Sequence, residues 1–269
     1  MNPPVALTVA GSDSGGGAGI QADLKTFAAQ GVFGTSVITA VTAQNSADVL
    51  GVERLDPSFV DLQLEAVLSD LPVAAVKTGM LGSAATVTAL SEWAAAGRLP
   101  NLVVDPVMVT STGRRLLDDD AADAYLRLLF PHAAVITPNT REASLLTGMP
   151  VDDLSDMERV ATELARTGAA VVVVKGGHLG GGRAPDVVLA EGRIAVLDAD
   201  RVVTGNDHGT GCTLSAAIAA RLAAGDETSS AIGAAKRYVT EALRGAAGWH
   251  LGTGHGPLDH FGWAAPVGG

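Results

Sequence analysis

Gly205-Asn-Asp-His-Gly-Thr-Gly-Cys212 runs directly into Thr213-Leu-Ser-Ala-Ala-Ile-Ala-Ala-Arg-Leu-Ala-Ala224. The second half is apolar on nearly every side, with Arg221 the exception, so it reads as a largely buried helix that needs layers around it. Gly225 is its natural stop. The first half is a glycine-rich turn at the start of that helix. Backbone N–H groups there have no partner inside the helix, small residues leave them open, and the helix dipole favours an anion. Cys212 stands where those donors converge, a position expected to lower a thiol pKa. Two readings of this turn are level: phosphate chemistry, or a loop–helix junction with a buried cysteine.

Outward from this helix, short apolar runs alternate with longer segments of helical spacing. Core strands are expected at Val5–Ala10, Ser36–Val41, Val73–Val76, Leu102–Val104, Ala133–Ile136 and Ala170–Val174. Helices are expected at Gly19–Gln30, Ser58–Ser69, Ala84–Ala96, Asp119–Phe130, Arg141–Thr147 and Ser155–Thr167. Val187–Ala190 and Ile194–Leu197 flank the turn Glu191-Gly192 as an edge hairpin. Strands that are almost continuously apolar are buried on both faces, and strand–helix alternation argues an α/β fold. A mostly parallel central sheet with helices on both faces is therefore expected. No linker or repeat breaks the pattern, so residues 1–269 are read as one domain.

Composition excludes several classes of function. A net charge of −11 with 4% aromatics argues against nucleic acid or an anionic membrane as partner. A single cysteine allows no intrachain disulfide and no cysteine-based zinc site. No long apolar run or basic leader is present, and a cytoplasmic protein is expected. His250, His255 and His260 are evenly spaced but lie in a Gly/Pro-rich stretch without helical register, a poor setting for zinc. Trp93, Trp249 and Trp263 read as packing residues.

Polar residues recur where the core strands end. The ends carry Gly11-Ser-Asp13, Thr42-Ala-Gln-Asn45, Lys77-Thr-Gly-Met80, Asp105-Pro106, Thr137-Pro-Asn139 and Lys175-Gly-Gly-His178. Open α/β sheets bind ligands outside the carboxyl ends of their strands, so this order of residues matters more than any one of them. The loop Gly11–Gly19 lacks the spacing of a dinucleotide fingerprint or a P-loop, and no Gly-x-Ser-x-Gly elbow occurs. Asp23 reads either as a complement to the helix dipole or as a ligand contact facing the sheet end. Lys175 reads as a phosphate partner or as a snorkelling surface residue. Asn139 and Glu142 suit Mg²⁺ through water, or else a helix cap.

As an ordered set these residues resemble the hydroxymethylpyrimidine/phosphomethylpyrimidine kinases of thiamine biosynthesis, members of the ribokinase-like superfamily. The resemblance rests on Ala10–Thr26, Val41–Asn45, Lys77–Leu81, Val104–Met108, Thr137–Glu142, Lys175–His178, His208–Thr213 and Gly254–Pro257, and so covers nearly the whole chain. It implies that Gly11, Asp23, Gln44, Met80, Val107 and Cys212 contact a pyrimidine. It implies an anion hole from Gly209, Thr210 and Gly211, and places Lys175, Asp105, Asn139 and Glu142 around ATP and Mg²⁺, with Glu142 nearest the metal. Cys212 stands where most of the superfamily has a catalytic aspartate. The lack of a lysine in Thr110–Gly113, and Asp207 in place of a usual threonine, depart from the pattern on the ATP side.

The reaction so implied is ATP-dependent phosphorylation of 4-amino-5-hydroxymethyl-2-methylpyrimidine and then of its monophosphate. A homodimer is the expected assembly. The rival on the same scaffold is a pyridoxal or pyridoxine kinase. Gln44 argues for the pyrimidine, since an amide pairs with an aminopyrimidine edge, and pyridoxal-selective relatives tend to carry an apolar residue there. A non-catalytic pyrimidine binder would not need Lys175, Glu142 and the glycine turn, and a nicotinamide oxidoreductase would need the missing fingerprint.

Overall fold

Two adjacent β-branched residues on each short central strand, Val103-Val104 on one and Val135-Ile136 on the next, point to opposite faces of a sheet and belong to two separate cores. The structure is a computed structural model that describes residues 2–108, 121–177 and 179–263. Its strands are β1 Val5–Asp13, β2 Phe33–Gln44, β3 Val49–Arg54, β4 Val73–Thr78, β5 Val103–Val104, β6 Val135–Ile136, β7 Val171–Lys175, β8 Asp186–Ala190 and β9 Arg193–Leu197. They form one sheet in the order β3-β2-β1-β4-β5-β6-β7-β8-β9. The middle, from β2 to β7, is parallel, and antiparallel strands close both edges.

The helices are α1 Gly19–Ala29, α2 Pro57–Leu68, α3 Ala84–Ala95, α4 Ala121–Ala124, α5 Thr140–Thr147, α6 Leu154–Ala165, α7 Thr210–Ala223 and α8 Thr228–Ala246. On one face Leu7, Val9, Val76, Val104, Ile136, Val172 and Val174 pack under residues of α2 to α6. On the other Ala6, Ala75, Val103, Val135, Val171 and Val173 pack under α1, α7 and α8. The alternation along β7 is complete: odd valines face one layer and even valines the other. Helix α7 is buried along almost its whole length, as its composition requires, and its alanines let it lie close on the sheet with α1 and α8 beside it.

Three differences from the expected elements have physical causes. Helix α4 widens at once into a π-turn over Tyr125–Leu129 and tightens over Phe130–His132, where Pro131 ends it; the start of the expected Asp119–Phe130 helix lies outside the described residues. Strand β3 was not expected, because Val49-Leu-Gly-Val-Glu-Arg54 is half polar. It forms as the antiparallel return of an extended β2. Helix α8 was not expected either. Its buried face is mostly alanine, with Ala231, Ala235, Ala242 and Ala246 around Ile232 and Val239, a weak signal in amplitude although regular in spacing.

Candidate active site

The parallel strands and α7 direct their ends into one cavity of about 560 Å³, lined by Gly11, Gln44, Met80, Val107 and Cys212, by Asp105, Asn139, Glu142 and Lys175, and by Gly209, Thr210 and Gly211. Every residue expected at the site lines this cavity except Asp23. The Thr110–Gly113 segment and His178 lie outside the described residues.

The centre of the cavity is the start of α7. Gly209 caps it in the left-handed conformation (φ 87°), and a side chain there would collide with the carbonyl of Gly17. The Thr210 N–H is donated to Asp207 O at 3.2 Å. The N–H groups of Gly209, Gly211 and Cys212 have no hydrogen-bond partner among the described residues. A side-chain carbon at Gly211 would sit 3.1 Å from Lys175 Nζ, so the helix end and the lysine face one point.

Lys175 ends β7 and donates to Asp105 Oδ1 at 2.7 Å, with Glu142 Oε2 at 4.0 Å. Asp105 also accepts from Thr137 and Ser215. Glu142 and Asn139 form a reciprocal cap at the start of α5: the Asn139 N–H is donated to Glu142 Oε2 at 2.8 Å, and the Glu142 N–H to Asn139 Oδ1 at 2.9 Å. The capping role and the cavity-lining role of these residues thus hold together. Burial pushes the Glu142 carboxyl up to about 7, with Lys175 opposing and Asp105 adding to the shift. Two carboxyl groups share one lysine.

Cys212 corrects its expectation. The thiol takes a hydrogen bond from the Gly19 N–H, but burial dominates and pushes it up to about 11, against the pull of Lys77. The shift runs opposite to the one expected of a helix start: loss of solvent outweighs the charge of Lys77 and the Gly19 N–H.

Asp23 is the second correction. It faces the sheet end as expected, but beneath the cavity floor. Its carboxylate accepts from Lys77 Nζ at 2.8 Å and from Thr8 Oγ1 at 2.6 Å, and both members of the ion pair are fully buried. It does not line the cavity, and its Oδ1 has no hydrogen-bond partner among the described residues.

Two residues of the site were given no role in the sequence, Asp13 and His208. Asp13 gathers the Gly-rich loop around itself, accepting from the N–H groups of Gly15, Gly17 and Ala18 at 2.8, 3.1 and 2.8 Å. His208 Nε2 lies 3.0 Å from Asp13 Oδ2 and 3.1 Å from Gln44 Nε2, tying the α7 turn to the first loop. Ser14 and Gln44 are also joined, Oγ to O at 2.7 Å and N to Oγ at 2.8 Å. Aspartate two residues before a glycine is a readable signal for such a loop. The histidine had none, since its partners lie 195 and 164 residues away. The C-terminal stretch forms a strap: His255 N–H donates to Ser46 O at 2.9 Å, His255 Nδ1 meets Asp207 Oδ1 at 2.7 Å, and the His208 N–H donates to Gly256 O at 3.0 Å. Asp207, read as an ATP-side departure, is thus partnered by the strap. His260 is buried against Thr213 Oγ1 at 3.0 Å.

Residues 13–259 match the phosphomethylpyrimidine kinase family. The chain belongs to that family. A hydroxymethylpyrimidine/phosphomethylpyrimidine kinase of Rhizobium meliloti is 50% identical over 96% of this chain and 97% of its own. Among solved structures, a pyridoxal kinase of Bacillus subtilis in complex with ADP superposes with a TM-score of 0.88 at 38% identity, covering 96% of this chain and 98% of its own. A phosphomethylpyrimidine kinase of Clostridium difficile superposes with a TM-score of 0.79 at 43% identity, covering 89% and 99%. The ribokinase-like fold expected from the resemblance is the fold observed. Among the described residues no group of three or more His, Cys, Asp or Glu side chains could hold a metal by itself, and no helix is long and apolar enough to cross a membrane.

Proposed function

We propose that this chain transfers the γ-phosphoryl group of ATP to the hydroxymethyl oxygen of 4-amino-5-hydroxymethyl-2-methylpyrimidine, and then a second phosphoryl group to a phosphate oxygen of that product. The observation that carries this is the meeting of Gln44 with the Lys175–Asp105–Glu142 group across the start of α7 in one cavity. Phosphoryl transfer asks for position and charge neutralisation more than for covalent chemistry. The Gly211 and Cys212 N–H groups and Lys175 supply donors at the point where the transferring group would sit. Glu142 and Asp105 would hold Mg²⁺ together with phosphate oxygens and water; bound there, the ion supplies further neutralisation.

Cys212 acts in this reading as a neutral side chain against the pyrimidine. The hydroxymethyl proton leaves late, toward the phosphate oxygens, as a loose transition state permits. The same scaffold in a solved pyridoxal kinase makes pyridoxal the second substrate to test. Gln44 favours the aminopyrimidine. A homodimer in the cytoplasm is the proposed working form, and the exposed Leu50, Phe59 and Leu62 around the β3 edge are apolar surface a second copy would cover. ADP release with Mg·ATP tests the activity: turnover is expected with the hydroxymethylpyrimidine and its monophosphate, and folded protein that releases ADP with neither overturns it.

A further inference from the structure

His208 Nε2 stands between two groups that make opposite demands on it. Asp13 Oδ2 lies 3.0 Å away and the Gln44 amide end 3.1 Å away. An imidazole nitrogen either donates or accepts; it cannot do both. The Asp13 carboxylate already accepts three backbone N–H groups. Burial works against its charge, but the bond to His208 and those to Ala18 and Gly15 outweigh this and hold the carboxyl below its usual range. An ionised Asp13 can only accept, so a bare lone pair on His208 Nε2 would face a carboxylate at 3.0 Å. Nε2 therefore carries the proton.

That assignment fixes Gln44. If its –NH₂ faced His208, two donors would oppose each other at 3.1 Å. The two ends of an amide have nearly the same shape, and hydrogen bonding decides between them. With Oε1 toward His208, the –NH₂ lies at the position 3.3 Å from Thr42 Oγ1. Thr42 gives its own proton to Ser12 O at 3.0 Å, so its oxygen is free to accept. Each contact along Asp13–His208–Gln44–Thr42–Ser12 then pairs a donor with an acceptor, and one Gln44 N–H and one Oε1 lone pair are left for the cavity.

We propose that His208 is a positioning residue for ring selection: held by Asp13, it locks the Gln44 amide in one orientation, so that the cavity accepts a ring edge with a nitrogen acceptor beside an amino donor and rejects the reversed pattern. The ligand class rests on the proposed aminopyrimidine activity; the hydrogen-bond chain does not. A 4-oxo analogue of the hydroxymethylpyrimidine, which presents N–H beside C=O, is the reversed edge. Wild-type protein prefers the 4-amino ring in kcat/KM. In His208→Phe the amide can turn over, and the preference falls roughly tenfold or more, as expected when one buried pairing is lost. His208→Gln, which places an N–H the same number of bonds from the backbone, restores most of it. On a Gln44→Met background His208→Phe leaves the ratio unchanged. Equal losses on both rings in both backgrounds would reduce His208 to a loop anchor and overturn the proposal.

A second measurement needs no turnover. Imidazole nitrogen resonances, assigned to His208 by comparison with His208→Gln, show a protonated Nε2 in the neutral ring; the Nδ1–H form overturns the lock. If wild-type protein phosphorylates neither ring, the activity fails while this resonance still decides the chain of hydrogen bonds.

Discussion

Lys77 and Lys175 are two lysines on parallel strands of one sheet, β4 and β7, with β5 and β6 between them, each about a hydrogen bond from an aspartate: 2.8 Å to Asp23 and 2.7 Å to Asp105. In sequence they are the same feature, a lysine closing an apolar run before a glycine. In space they do different things. Lys77 and Asp23 are sealed under the floor, one charge against one charge. Burial opposes the Lys77 charge, but Asp23, with help from Asp105, raises its pKa all the same. Lys175 is 12% exposed to the cavity and faces two carboxylates. A balanced, closed pair holds the floor together. An unbalanced, open one is ready for phosphate and a cation.

The largest expected effect separates the two lysines. Lys77→Met leaves Asp23 buried without its partner and should lower stability by about 3–5 kcal/mol. The double change Asp23→Leu with Lys77→Met should recover most of that loss. Thermal unfolding of both variants checks this, and a double variant no better than the single one would show that the pair does more than balance charge. Lys175→Met also leaves buried carboxylates without their cation and should lower stability, but what sets it apart is turnover: kcat should fall by roughly 10²–10³-fold, the size of effect seen when one transition-state donor is removed. Comparable turnover with and without Lys175 would place the transferring group elsewhere.

Glu142 sharpens the contrast through pH. Its carboxyl titrates at about 7 when folded, above its value in the unfolded chain. As a stability term the sign is unfavourable to the charged form: the contribution is present at low pH and is lost as pH rises through about 7. As a site for Mg·ATP the sign is opposite, since the anion forms only as pH rises. The kcat/KM for ATP should fall below pH 7, and Glu142→Gln should flatten that limb and lower the plateau about tenfold. A steep acid limb that survives in the variant would assign it to another group.

The smallest effect concerns Cys212. With its thiol at about 11, alkylation near neutral pH should be slow, and Cys212→Ala should raise KM for the pyrimidine several-fold with little change in kcat. Rapid alkylation blocked by substrate, or a kcat loss near 10²-fold, would restore the thiol as a base.

Much of this was legible in the chain. Apolar runs alternating with helical spacing determined the sheet, its parallel centre and the helix α7, because burial on two faces leaves few other patterns for valine and isoleucine. The order of polar strand ends determined the cavity, since parallel strands bring their carboxyl ends to one edge. Helix α8 escaped because alanine marks a buried face weakly, and β3 because an edge strand tolerates polar residues. What only the tertiary structure decided is the state of each polar group. Asp23 became a floor ion, Cys212 a neutral thiol, and His208 a link between loops, because solvent loss and charge partners depend on atoms brought together from distant parts of the chain. Residue type states which protons a side chain can hold; the fold decides which of them it keeps.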